Sequence, residues 1–188
     1  MGIVLFFVNC SVKSQEEIAT IDGRDVTRAE LDREMQRCRA SVINQIVDKY
    51  GVTDMTGFWE REYGGQTPLE IIQQRALDTL VVFKVQERLL AERNLWPYKH
   101  YSELISDLEK TNEARAKAAK EGAVIYGPIS YTERAFFDYR FSNAVIRLKE
   151  KLVEEETLAV GDIEAVYAKY IRKQKNRVDI KTKDLFNF

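Results

Sequence analysis

The sequence predicts a mostly α fold: about five helices in an open cradle-like bundle, with a minor two-stranded β element. Three observations predict it. Apolar residues recur every three or four positions through several long segments, the spacing of a helix with one buried face. Two segments open with helix-start signatures, Thr27-x-x-Glu30 and Thr67-Pro68-Leu69-Glu70. Only three prolines and nine glycines interrupt 188 residues, so few positions are barred from a helix. The composition, 45% hydrophobic and 31% charged, is that of a globular domain long enough to bury a sizeable core. The net charge of −1 argues against electrostatic capture of nucleic acid, which needs a basic face.

The first 17 residues read as a signal or anchor remnant followed by a linker. Met1–Val8 is apolar and uncharged, and no Lys or Arg precedes Lys13. A secretory signal needs a basic flank and a longer apolar core, which points to a start upstream of Met1. Phe7-Val8-Asn9-Cys10 resembles a bacterial lipoprotein cleavage box, with Asn9 where a small residue is usual. The expectation is export, with membrane attachment by lipid on Cys10 or by an uncleaved apolar anchor. The alternative expectation is a disordered apolar tail. Two cysteines, Cys10 and Cys38, make no disulfide framework. Cys38 falls on an apolar helix face as a small core residue.

Residues 18–175 read as one helical domain. Ile18–Ile21 alternates and runs into an Asp22-Gly23 turn, then Val26 and the capping box. Helix one is expected over about Arg28–Tyr50, with Leu31, Met35, Cys38, Val42, Ile46 and Tyr50 on one stripe and Arg33 off it. Gly51 supplies a left-handed exit. A loop of about fifteen residues carries Phe58, Trp59 and Tyr63, either folded over the core as a lid or available to a client. Helix two runs from Thr67 to about Arg93. Its centre, Leu77–Val85, is apolar nearly all round, so it is expected to be central. Helix three covers about Ser102–Glu121, its alanine-rich second half a solvated arm. Val124–Tyr131 is a connector broken by Gly127-Pro128. Helix four covers about Thr132–Glu156 and helix five about Gly161–Lys175. Residues 176–188 form a tail or short strand, with Val178–Ile180 expected to pair with Ile18–Ile21.

Three of these segments carry a resemblance. I-D-G-R-D-V-T-R-A-E-L-D, A-L-D-T-L-V-V-F-K-V-Q-E-R-L-L-A-E-R-N-L and L-A-V-G-D-I-E-A-V-Y-A-K-Y resemble the SurA/PrsA-type N-terminal domain, the chaperone part of extracytoplasmic peptidyl-prolyl isomerases. Asp22 stands where asparagine is usual, Val26 where isoleucine is usual, and Lys84 and Val85 replace parts of the second motif. The resemblance spans about Ile18–Tyr170. It implies an extracytoplasmic holding chaperone or foldase accessory that binds unfolded or partly folded exported polypeptides and needs no cofactor. The parvulin catalytic domain of that family is expected to be lacking. The rival reading is a structural or adaptor module that binds one folded partner at the membrane.

Catalytic options are thin. His100 is the single histidine, and a lone loop histidine is expected to be a surface residue. No Cys/His spacing reads as a metal site, and no phosphate loop or nucleophile elbow is present. Acidic residues are expected on outer, solvated helix faces. The client-binding candidates are Phe58, Trp59, Tyr63, Tyr126, Tyr131, Phe136 and Tyr139, each with core packing as its rival role.

Overall fold

The computed structural model describes residues 16–155 and 161–182. Among them the order is β1 (Glu17–Ile21), β2 (Arg24–Thr27), α1 (Arg28–Tyr50), α2 (Pro68–Ala91), α3 (Tyr101–Lys120), α4 (Glu133–Glu154), α5 (Ile163–Lys175) and β3 (Ile180–Thr182). The three strands form one antiparallel sheet in the order β2-β1-β3. The chain is thus mostly helical with a small β element. The sheet has one strand more than the sequence predicts. Asp22 and Gly23 both adopt positive φ, 51° and 73°, the geometry of a tight hairpin turn whose twist matches its flanking strands. That turn folds Arg24–Thr27 back as β2. The C-terminal strand begins at Ile180, two residues later than predicted. Asp22 fixes its approach: the Asp22 amide donates to the Asp179 carbonyl at 3.0 Å, and the Asp179 amide donates to Asp22 Oδ1 at 3.2 Å.

The described residues divide into two compact units. One gathers 16–20, Val26–Phe83 and 181–182; the other gathers Ile21–Asp25 and Lys84–Ile180.

In the first unit, α1 starts on Thr27. The Thr27 hydroxyl accepts from the Glu30 amide at 3.3 Å, and the Glu30 carboxylate accepts from the Thr27 amide at 2.9 Å. Two otherwise orphaned amides are satisfied at once. The helix ends at Gly51, φ 64°, whose amide donates to Val47. Val42, Ile46, Phe58 and Ile72 form a buried cluster, with Met35, Cys38, Trp59 and Tyr63 packed against it. The long loop is therefore tied down by its aromatics. Phe58 meets Trp59 edge-on at 5.2 Å and Tyr63 at 5.7 Å, and the Trp59 carbonyl accepts the Leu69 amide.

Charge placement departs from the expectation of wholly solvated acidic faces. Glu30, Glu34 and Arg33 are buried in this unit. Glu34 is compensated by Arg33, 2.8 Å away, and by Arg37 at 3.0 Å, and Thr27 compensates Glu30. A buried carboxylate is tolerable only with such partners.

In the second unit, the C-terminal part of α2 presents buried Val85, Leu89 and Leu90. Lys84, Gln86 and Glu87 are buried as well, so the buried part of the helix carries polar groups at and beyond the end of the apolar Leu77–Val85 run. Each has a partner: Lys84 Nζ donates to Glu87 at 3.2 Å, and Gln86 Nε2 donates to the Tyr167 hydroxyl at 3.0 Å. Leu104, Phe137, Phe141, Leu148, Leu152 and Ile171 complete this core. Arg93 clasps Glu155 through two nitrogens, at 3.1 and 2.7 Å, beside the end of α4. Among the described residues, no helix is long and apolar enough to cross a membrane.

Candidate functional site

The connector from α3 to α4 carries the most exposed large apolar side chains of the second unit. Val124 and Tyr126 are 78% and 87% exposed, and Ile129 and Tyr139 are each more than half exposed. Side chains of this kind at scattered positions are ordinary, but four of them between Val124 and Tyr139 are not.

The connector is pinned from below by α3. Its entry is set by Gly122, φ 78°, where the Ala123 amide returns to the Ala118 carbonyl at 3.0 Å. Arg115 Nε donates to the Pro128 carbonyl at 2.7 Å, and Nη2 donates to the Tyr126 carbonyl at 2.6 Å. The Asn112 amide pairs with the Tyr131 backbone in both directions: Nδ2 donates to its carbonyl at 3.0 Å, and Oδ1 accepts its amide at 2.8 Å. Tyr131 stacks on Tyr139, centroids 5.9 Å apart, and packs against Phe136 at 5.8 Å; the Arg115 guanidinium lies 5.3 Å from the Tyr131 ring. The second half of α3, expected to be a solvated arm, is thus half-occupied as a clamp. The connector's carbonyls are held inward, and Tyr126 and Ile129 are left facing water.

Beside it, a cleft of about 460 Å³ lies between the Asn94–Pro97 segment and α4, with Trp96, Tyr139, Arg140 and Arg147 among its walls. Asn94 adopts positive φ, 57°, where α2 stops, and this turns the chain toward Trp96. Trp96 is set edge-on against Tyr98 at 4.9 Å and Phe141 at 5.5 Å. Arg140 Nε donates to the Tyr98 hydroxyl at 2.9 Å, Arg140 pairs with Asp107 at 3.2 Å, and the Tyr98 hydroxyl donates to Asp107. Burial, reinforced by the bond to Asp107, pushes the Tyr98 phenol up to about 12.

The predicted site residues separate into two groups. Tyr126 and Tyr139 are exposed, and Tyr131 is half-buried in the stack between the connector and α4. Phe58 and Phe136 are each 2% exposed, so neither ring is available to a client; both are core residues. Trp59 and Tyr63 are half-buried around the first unit's cluster, with Arg39 over the Trp59 ring at 4.5 Å. Phe136 lies eight residues before Ala144 on the face of α4 that runs through Leu148, and this spacing marks it as core. Trp96, Arg140 and Arg147 escaped the sequence reading, because the Asn94–Pro97 segment meets α4 only in the fold, and Ile129 escaped it because it is not aromatic.

His100 is exposed, with Nδ1 2.9 Å from Asp25 Oδ2. Glu103 accepts the amides of Lys99 and His100, which holds its carboxyl below the usual range. Cys38 is free and half-buried, its thiol pushed up by burial and by Glu34. Cys10 lies outside the described residues. Among the described residues, no group of three or more His, Cys, Asp or Glu is placed to hold a metal. Comparison with protein-family models, curated proteins and solved structures gives no match for this chain.

Proposed function

We propose that this chain is a holding chaperone or foldase accessory for exported polypeptides, of the SurA/PrsA type, without proline isomerase activity of its own. One observation carries the proposal: the ordered connector that holds Val124, Tyr126 and Ile129 in water. Exposed apolar side chains cost solubility, and a clamp that fixes the backbone beneath them lowers the entropy lost when a client binds. The stacked pair Tyr131 and Tyr139 extends the same surface with rings that take either apolar or polar contacts. Contact of this kind is weak and tolerant of sequence, which suits a holder of many clients. The three motifs read from the sequence support the same class. In this reading the chain acts outside the cytoplasm, attached through Met1–Cys10 by lipid on Cys10 or by the apolar run itself.

The test is a pair of assays on the full chain. It is expected to suppress aggregation of several unrelated unfolded proteins without ATP, at micromolar concentration, and to leave the rate of proline isomerisation at background. Suppression of none of them, with capture of one folded partner at high occupancy, replaces this reading with that of an adaptor. Isomerisation well above background contradicts the non-catalytic role.

A further inference from the structure

We propose that the cleft between Asn94–Pro97 and α4 binds a peptide segment in which an aromatic side chain is flanked by carboxylates. The inference rests on the polypeptide-binding reading above and names the segment that the site prefers.

The cleft combines two chemistries. Its apolar part is Pro97 and Leu95 with the exposed Tyr139 at its edge, set over Trp96 and Ala144, of which only 8% and 7% remain exposed. An aromatic side chain seated on Pro97 and the Tyr139 ring would cover the remaining edge of Trp96, which is itself packed edge-on against Tyr98 and Phe141. Its polar part is cationic: Arg140 and Arg147 are in the lining and no Asp or Glu is. The two guanidiniums are not equivalent. Arg140 is committed to Asp107 and to the Tyr98 hydroxyl. Arg147 is exposed and has no ion pair among the described residues. A guanidinium in that state binds a carboxylate through two parallel hydrogen bonds. Asn94 and Asn143 supply amides of the kind that pair with a peptide backbone; Asn143 Nδ2 already donates to the Tyr139 carbonyl, and its Oδ1 remains to accept. The volume, about 460 Å³, is that of a small-ligand site rather than an extended groove, so the cleft takes one anchoring side chain and its neighbours. Lysine-flanked segments meet like charge and are rejected.

The experiment uses the full chain carrying Trp59→Phe, which leaves Trp96 as the only tryptophan. Its emission is followed on titration with the peptide Ser-Asp-Phe-Asp-Ser-Gly and with versions bearing Asn for Asp, Lys for Asp, or Ala for Phe. The acidic aromatic peptide is expected to shift the emission saturably. The Asn version binds about tenfold or more weakly, and the Lys and Ala versions weaker still. Arg147→Ala is expected to lower affinity for the acidic peptide by the same factor and to leave the Asn version unchanged. No saturable shift with any peptide overturns the proposal. Equal binding of the Asp and Asn versions overturns it too, as does an Arg147→Ala variant that binds like the parent. Phenylacetate binding as tightly as the peptide assigns the cleft to a free acid and likewise overturns it. Aggregation suppression measured alongside separates the two claims. Suppression without acidic preference refutes the cleft assignment alone. Acidic peptide binding without suppression refutes the chaperone reading and leaves the cleft assignment standing.

Discussion

Tyr131 and Tyr139 stack with centroids 5.9 Å apart and planes 21° apart, and this contact ties the connector to the first turns of α4. The stack has one half-buried member and one exposed member, so it forms both the edge of the core and the start of the surface. Arg115 sits 5.3 Å from the buried-side ring and holds two connector carbonyls. The exposed apolar side chains thus stand on a braced backbone.

The brace can be removed separately from the surface. Arg115→Ala deletes two charge-assisted bonds to exposed backbone. Local opening of the 123–131 segment is expected to become roughly tenfold more frequent, with little change in global stability. Amide hydrogen exchange reads this directly; unchanged exchange across the segment would remove Arg115 from the account.

Surface and core should respond in opposite ways. The double substitution Tyr126→Ser with Ile129→Ser is expected to leave the melting temperature within a few degrees and to abolish most aggregation suppression, because both side chains face water. Phe136→Ala is expected to lower stability by about 3–5 kcal/mol, as the loss of a buried ring does. A Phe136→Ala variant of native stability but without client binding would return Phe136 to the binding surface.

Leu80 is fully buried, and Leu80→Asp places an unpaired charge there. Loss of the cooperative unfolding transition in the far-ultraviolet signal is the expected outcome. A folded variant with wild-type melting would take the centre of α2 out of the core.

Stability should fall at high pH through two tyrosines. Burial pushes Tyr98 and Tyr167 up to about 12, above the ordinary value of 10.0. The folded state therefore holds these protons where the unfolded state releases them. Their contribution is fully present below pH 10 and is lost as the pH rises toward 12. Tyr167→Phe is expected to flatten that decline in melting temperature. At neutral pH it costs about 1–3 kcal/mol, since the buried Gln86 amide loses its acceptor. A decline between pH 10 and 12 as steep in the variant as in the parent would contradict this assignment.

Much of the helical frame was legible because its ends are written locally. The Thr27–Glu30 box and Gly51 bound α1 at Arg28 and Tyr50, as predicted. The second strand was half legible: the Asp22-Gly23 turn is written in the sequence, but four residues, Arg24–Thr27, are too few for alternation to stand out, and the positive φ angles at both turn residues show that the chain folds back as a hairpin. The buried charges were missed for a related reason. Periodicity assigns Arg33, Glu34 and Glu87 to polar positions, and only tertiary partners show that some polar positions lie inside. In the candidate site, Tyr126 and Tyr139 were legible as aromatics, but their exposure was not. The backbone beneath Tyr126 is held by Arg115 and that of Tyr131 by Asn112, which in sequence look like ordinary members of a solvated helix.

The most direct test of the central claim is hydrogen–deuterium exchange of the full chain with and without a reduced, carboxymethylated protein that stays unfolded. Exchange across residues 123–131 and the first turns of α4 is expected to slow when the client is added. Protection confined to other segments, with 123–131 exchanging as fast as in the free chain, would contradict it.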